Sequence, residues 1–345
     1  VKNFDYGHLL GRAWRIVWDN RILWLYGLMV ALGGEIWSGA SNGLNLSRQL
    51  SETAPEDWTE FLPTDWAHFL SRISSSDWTA LRIYLGLAVG GCLVVALVLA
   101  AFAQLGLGGL VKSVQAAESG GKVTASKAWE YGRRFFWRVT GIALIEWMTM
   151  LVAVGLYVIG ILVIIFSPCV GDVFSRYPDP AILFLLCPLL CCFTSGVLVI
   201  NFYMYFSKLA AILEDKPWLE SFSRAAGLLK STIGPALLLG LLVYVVGWGV
   251  NFLTLLAAAP AIGFLLAGFA PLMSQSGTVR PVWAYLGTAL FIVQIPVSWW
   301  IISVWVGWKN ALYALFYQRA AETAWGGDSD RKAASGIPST AGGVT

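Results

Sequence analysis

The sequence predicts an all-α polytopic membrane protein, with six transmembrane helices in three repeats of a basic amphipathic helix and a helical hairpin. Three observations carry that expectation. Hydrophobic residues make up 57% of the 345-residue chain and charged residues only 12%, against about 25% charged in an ordinary soluble domain. Apolar runs recur at or near the ~20 residues a helix needs to cross the hydrocarbon. A short basic, amphipathic pattern precedes the apolar runs near Phe4, Ala125 and Pro217. The mean hydropathy of +0.68 and the 18 Trp point the same way, because water cannot hydrate that much apolar surface on one globular unit.

One membrane domain is expected over residues 1–319, with repeats at about 4–111, 125–206 and 217–316 and a flexible cytoplasmic tail over 320–345. The first basic helix places Asp5, His8, Arg12, Arg15 and Asp19 on one stripe and Tyr6, Leu9, Leu10, Ala13 and Val17 opposite. It leads into a short span, Ile22–Trp37, whose end carries Glu35. Ile22–Leu32 resembles the apolar region of a signal peptide, but an organised amphipathic helix precedes it in place of a short basic leader. The span is therefore expected to be retained. An acidic outer loop follows over 38–78, where Thr64 would cap a short helix carrying Trp66, Phe69, Leu70 and Ile73. Leu81–Val111 is the second span; its Gly90–Gly91 pair and the GLGGL run at Gly106–Leu110 fit close helix packing.

The second basic helix sets Lys127, Glu130, Arg134 and Arg138 against Ala128, Trp129, Gly132, Phe135 and Phe136. Spans Val139–Phe166 and Ala181–Phe206 follow. The third sets Glu220, Arg224 and Ser231 against Leu219, Phe222, Ala225, Ala226 and Leu229, with Pro217 suited to a helix start. Spans Gly234–Ala258 and Val282–Phe316 follow, the latter holding Pro296. Between them Pro260–Met273 reads either as a segment dipping into the surface or as an extension of the fifth helix. All three basic helices are expected to lie in the interface plane, apolar face in the acyl boundary and cations toward headgroups.

Lys and Arg give the orientation. With six spans, 18 of the 23 fall on the side that holds both ends of the sequence and five on the other. Basic residues stay cytoplasmic, so the chain is expected to be a multi-pass membrane protein with N- and C-termini in the cytoplasm. A net charge of +3 gives no reason to invoke nucleic acid.

The candidate sites are few. Arg12, Arg15, Arg133, Arg134 and Arg138 could bind anionic lipid headgroups, or could simply anchor the helices. Glu146 is the one carboxylate deep in an apolar run, and intramembrane carboxylates are costly unless paired or protonated. With Asn201, Asn251 and Gln294 it could line a polar cavity, or tie helices together. No nucleotide loop, HExxH or CxxC motif is present, so no catalytic, cofactor or metal site is expected. The five Cys do not read as a disulfide framework: Cys92, Cys187, Cys191 and Cys192 lie inside spans and only Cys169 in a loop. Cys187 and Cys191, one helical turn apart, read as small buried apolar thiols in place of a metal pair, for which no His, Asp or Glu lies nearby in sequence.

RAWRIVWDNRILWLYG at Arg12–Gly27, KAWEYGRRFFWRVTG at Lys127–Gly141 and KLAAILEDKPWLESFSRAAGLLKSTIG at Lys208–Gly234 carry a resemblance. The chain resembles bacterial six-span membrane proteins of unknown function, including the membrane domain fused to some glycerophosphodiester phosphodiesterases. The sequence provides no stretch for a catalytic barrel of ~250 residues, so the resemblance implies a scaffold without phosphodiesterase activity. The expected function is that of a non-enzymatic accessory or scaffold subunit, packing against membrane lipid and other integral membrane proteins. The alternative is a small-molecule or lipid transporter with an intramembrane polar cavity.

Overall fold

The structure is a computed structural model that describes residues 5–33, 75–165, 180–273 and 281–334. The expected helix capped by Thr64 lies outside the described residues, as do most of the outer loop and Cys169. The described residues are mostly helical, with short links between helices and no strand among them. The helices are α1 (Tyr6–Asp19), α2 (Ile22–Gly33), α3 (Ser75–Glu118), α4 (Ala125–Ile165), α5 (Pro180–Leu213), α6 (Trp218–Met273) and α7 (Pro281–Ala334).

Among the described residues five helices are long and apolar enough to cross a membrane, within Arg82–Glu118, Ala125–Val163, Leu190–Leu213, Trp218–Gly268 and Val282–Trp325. The first expected span, Ile22–Trp37, is represented by α2, a shorter apolar helix over Ile22–Gly33. At ~1.5 Å per residue it covers only about 18 Å of a ~30 Å core. The rest of that span lies outside the described residues.

The three basic segments join their spans differently. α1 starts at Asp5, whose side chain accepts from the His8 backbone N–H at 2.9 Å. It stops at Asn20, whose side-chain amide donates back to the Ile16 carbonyl at 2.9 Å. The Trp24 indole donates to the Val17 carbonyl at 3.0 Å and holds the α1–α2 corner closed. The second segment has no break: α4 is one helix of 41 residues from Ala125 onward. The third is set off by a kink at Thr232, the one non-helical residue inside α6 (φ −128°, ψ 25°). Beyond it α6 runs through Pro260 and Pro271 to Met273, so the ambiguous segment extends the fifth helix.

The packed core sits at the end of the bundle where these basic segments gather. The stretch of α7 around Val306, Ala311, Leu312, Ala314 and Phe316 is fully buried. One cluster joins it to Leu9, Ala13 and Val17 of α1, Leu110 and Val114 of α3, Ala128 and Phe135 of α4, Phe206 and Leu209 of α5, and Ala225 and Leu228 of α6. A helix apolar on every side is stable when neighbours cover every side, and here they do. Part of the apolar faces expected to dip into lipid is instead covered by protein. Leu9, Ala13 and Val17, Ala128 and Phe135, and Ala225 bury against protein; Trp129, Leu219 and Ala226 remain exposed.

Away from that end the helices separate into pairs. Tyr157 of α4 stacks on Phe193 of α5 at 4.3 Å, and Phe264 of α6 on Trp283 of α7 at 5.5 Å. Among the described residues α3 has no such neighbour: every residue over 82–98 is exposed. Cys92, Cys191 and Cys192 are exposed, so Cys191 is not buried as expected; an apolar thiol is equally compatible with a lipid-facing position. Beyond Ala320, where the sequence suggests a flexible tail, α7 continues to Ala334. Trp325 gives it a reason, packing under the Arg224 guanidinium at 3.3 Å.

Candidate functional site

The charged side chains converge on the four-residue link between α5 and α6, Glu214 to Pro217. Asp215 there has a left-handed backbone (φ +57°), a conformation that Asp tolerates better than most residues. Its carboxylate receives both Arg134 and Arg138 of α4, and Arg138 also donates to its backbone carbonyl at 2.9 Å. Glu214 receives Arg224 of α6 at 2.8 Å and the Tyr317 hydroxyl of α7 at 2.8 Å. Lys112 of α3 points its ammonium at the Ile212 and Leu213 carbonyls, 3.4 and 3.5 Å away, where the α5 C-terminus favours positive charge. Side chains from four helices, α3, α4, α6 and α7, are thereby tied to this link and to the end of α5 that leads into it.

Phe135 lies beneath this charge. Lys112, Arg134 and Arg138 stand 5.7, 5.6 and 6.0 Å from its ring centroid, within the range of cation–π attraction. Burial pushes the Asp215 carboxyl up, but the hydrogen bond from Arg138 and the positive charge of Arg134 and Arg138 outweigh it and hold the group below its ordinary value. A depressed carboxyl contributes stability that is present above its unfolded value of ~3.9 and lost as pH falls through the native value. Asp215→Asn is expected to lower stability by about 1 kcal/mol near neutral pH, a figure kept small because both Arg are partly exposed. Melting curves of the two chains in detergent should converge as pH falls below about 4; a constant gap would remove the charge from this account.

The cations singled out in the sequence divide by partner. Arg12 pairs with Glu118 of α3 at 2.9 Å, and Arg134 and Arg138 are held by Asp215. Among the described residues, Arg15 and Arg133 are exposed and form no ion pair. The intramembrane polar residues do not gather. Glu146 pairs with Lys208 of α5 at 2.5 Å, with both side chains largely buried. Asn201 of α5 and Asn251 of α6 are exposed. Gln294 donates to Ser298 on its own helix at 3.0 Å. The buried polar link that sequence reasoning missed is Asn310, which accepts from the Tyr205 hydroxyl at 2.6 Å and donates to the Val306 carbonyl at 2.7 Å. The missed partners of the basic residues had one signal, the acidic pair Glu214–Asp215 directly after a span.

Two grooves open near this hub. One, of about 370 Å³, is lined by Gln115, Glu118, Glu214, Tyr317 and Glu322 among others. The second, of about 520 Å³, runs along α4 between Ser126, Trp129, Glu130, Arg133 and Arg134. Among the described residues no three His, Cys, Asp or Glu side chains gather in a metal-binding arrangement. Comparison with protein-family models, with curated proteins and with solved structures returns no match.

Proposed function

We propose that this chain is a non-enzymatic integral membrane protein, an accessory or scaffold subunit that presents helix surfaces to lipid and to partner membrane proteins. The observation that carries the reading is the stretch of α3 over 82–98: an apolar helix whose every residue is exposed needs lipid or a neighbouring protein around it. The transporter alternative calls for polar groups along a shared path. Glu146 is engaged by Lys208, and Asn201, Asn251 and Gln294 stand on three different helices.

The finer topology belongs to the same proposal. Given six spans, the Lys and Arg asymmetry supports two cytoplasmic termini; the three basic amphipathic segments near Phe4, Ala125 and Pro217 support three repeats, and the resemblance supports a bacterial inner membrane. The resemblance to six-span membrane domains also supports a scaffold. Two measurements test it. In a chain cleared of its own cysteines, Lys127→Cys and Lys230→Cys should react with an impermeant maleimide in inverted vesicles and stay unlabelled in intact cells. Gentle solubilisation should retain a second membrane protein. Purification as a lone monomer, together with solute uptake by reconstituted vesicles, would overturn the scaffold reading.

A further inference from the structure

We propose that one face of α4 is a binding site for an anionic phospholipid of the inner leaflet, with Arg133 as its headgroup contact. The proposal rests on the cytoplasmic placement of the basic segments and deepens it by naming the lipid class. Residues 126, 130, 133, 137, 144 and 151 recur at helical spacing and so form one stripe. Along this stripe the chemistry changes in the order a phospholipid does. The groove end carries Ser126, Trp129 and Arg133. One turn further stands Trp137, 79% exposed, and beyond it Leu144 and Leu151, 64% and 68% exposed.

Arg133 and Trp137 are separated by about 6 Å along the axis, comparable to the ~5–8 Å headgroup layer on each side of a bilayer. A phosphate beside Arg133 would therefore leave acyl chain against Trp137 and the Leu residues. An indole at that depth matches the preference of Trp for the interface. Charge selects the lipid. Arg134, which lines the same groove, and Arg138 are both paired with Asp215, whereas Arg133 is exposed without an ion pair among the described residues. Glu130 lines the same groove and opposes an anion, so it supplies a substitution of opposite sign.

The test uses the full chain in neutral detergent, exchanged against an equimolar mixture of phosphatidylglycerol and phosphatidylcholine, with retained lipid counted by native mass spectrometry. Arg133→Gln should lower retention of the first phosphatidylglycerol about five-fold, as expected for loss of one interfacial cation. Glu130→Gln should raise it, and Lys230→Gln, an exposed cation on α6, should leave it unchanged. Excess glycerol phosphate should fail to displace the lipid. Unchanged retention in Arg133→Gln, an equal loss in Lys230→Gln, or displacement by glycerol phosphate would each overturn the proposal. Maleimide labelling of Lys127→Cys from outside the cell would instead overturn the topology beneath it.

Discussion

Lys208→Met should destabilise the folded chain by about 3–5 kcal/mol, the range for removing one partner of a buried ion pair. Met keeps most of the stem's volume, so the loss reports charge more than packing. The Glu146 carboxylate would be left among apolar side chains without its ammonium at 2.5 Å, and an isolated charge there has no water to turn to. Glu146→Leu combined with Lys208→Met should recover most of the loss, because replacing both members of such a pair by apolar residues is often close to neutral. Thermal unfolding in detergent compares the variants with the parent chain. Equal losses in the single and double variants would show that the two groups do not act as a pair.

Gly27→Ala should destabilise by about 1–3 kcal/mol or more, the scale of overpacking in a close-packed interior. A Cβ at Gly27 would lie 2.3 Å from the Ser303 carbonyl oxygen and 3.0 Å from the Gly307 nitrogen. Both are backbone atoms, so relief requires moving α2 away from α7. That shift would also disturb the hydrogen bond from the Ser303 hydroxyl to the Trp24 carbonyl. Gly90→Ala is the control, since nothing lies within 4 Å of the added atom. Its unfolding temperature should be unchanged or slightly raised, as Ala favours a helix. Matching losses at Gly27 and Gly90 would mean that close helix approach is not the cause.

Much of the fold is legible in the sequence because length and hydropathy report directly on helices that cross lipid. The apolar runs correspond to α3 to α7, and α6 starts directly after Pro217, where proline chemistry puts a helix start. Which apolar faces meet protein is not legible. Lipid tails are as apolar as Leu, so Leu9 and Ala225, which are buried, carry the same pattern as Leu219, which is exposed. Pro260 and Pro271 read as interruptions, but helices in apolar surroundings tolerate Pro when nearby groups satisfy the freed carbonyls. Glu146 stands out as a candidate, whereas Lys208 lies 62 positions away and resembles an ordinary cation at a span's end. The Asp215 clamp depends on one left-handed residue, which hydropathy does not encode.

The concentration of buried side chains around the basic segments has a mechanical consequence. A bundle fastened at one end can let its free ends tilt or spread with little loss of cohesion. Its unfolding temperature should therefore vary little across bilayers of different acyl length, while the mutual inclination of its outer helices adjusts to each.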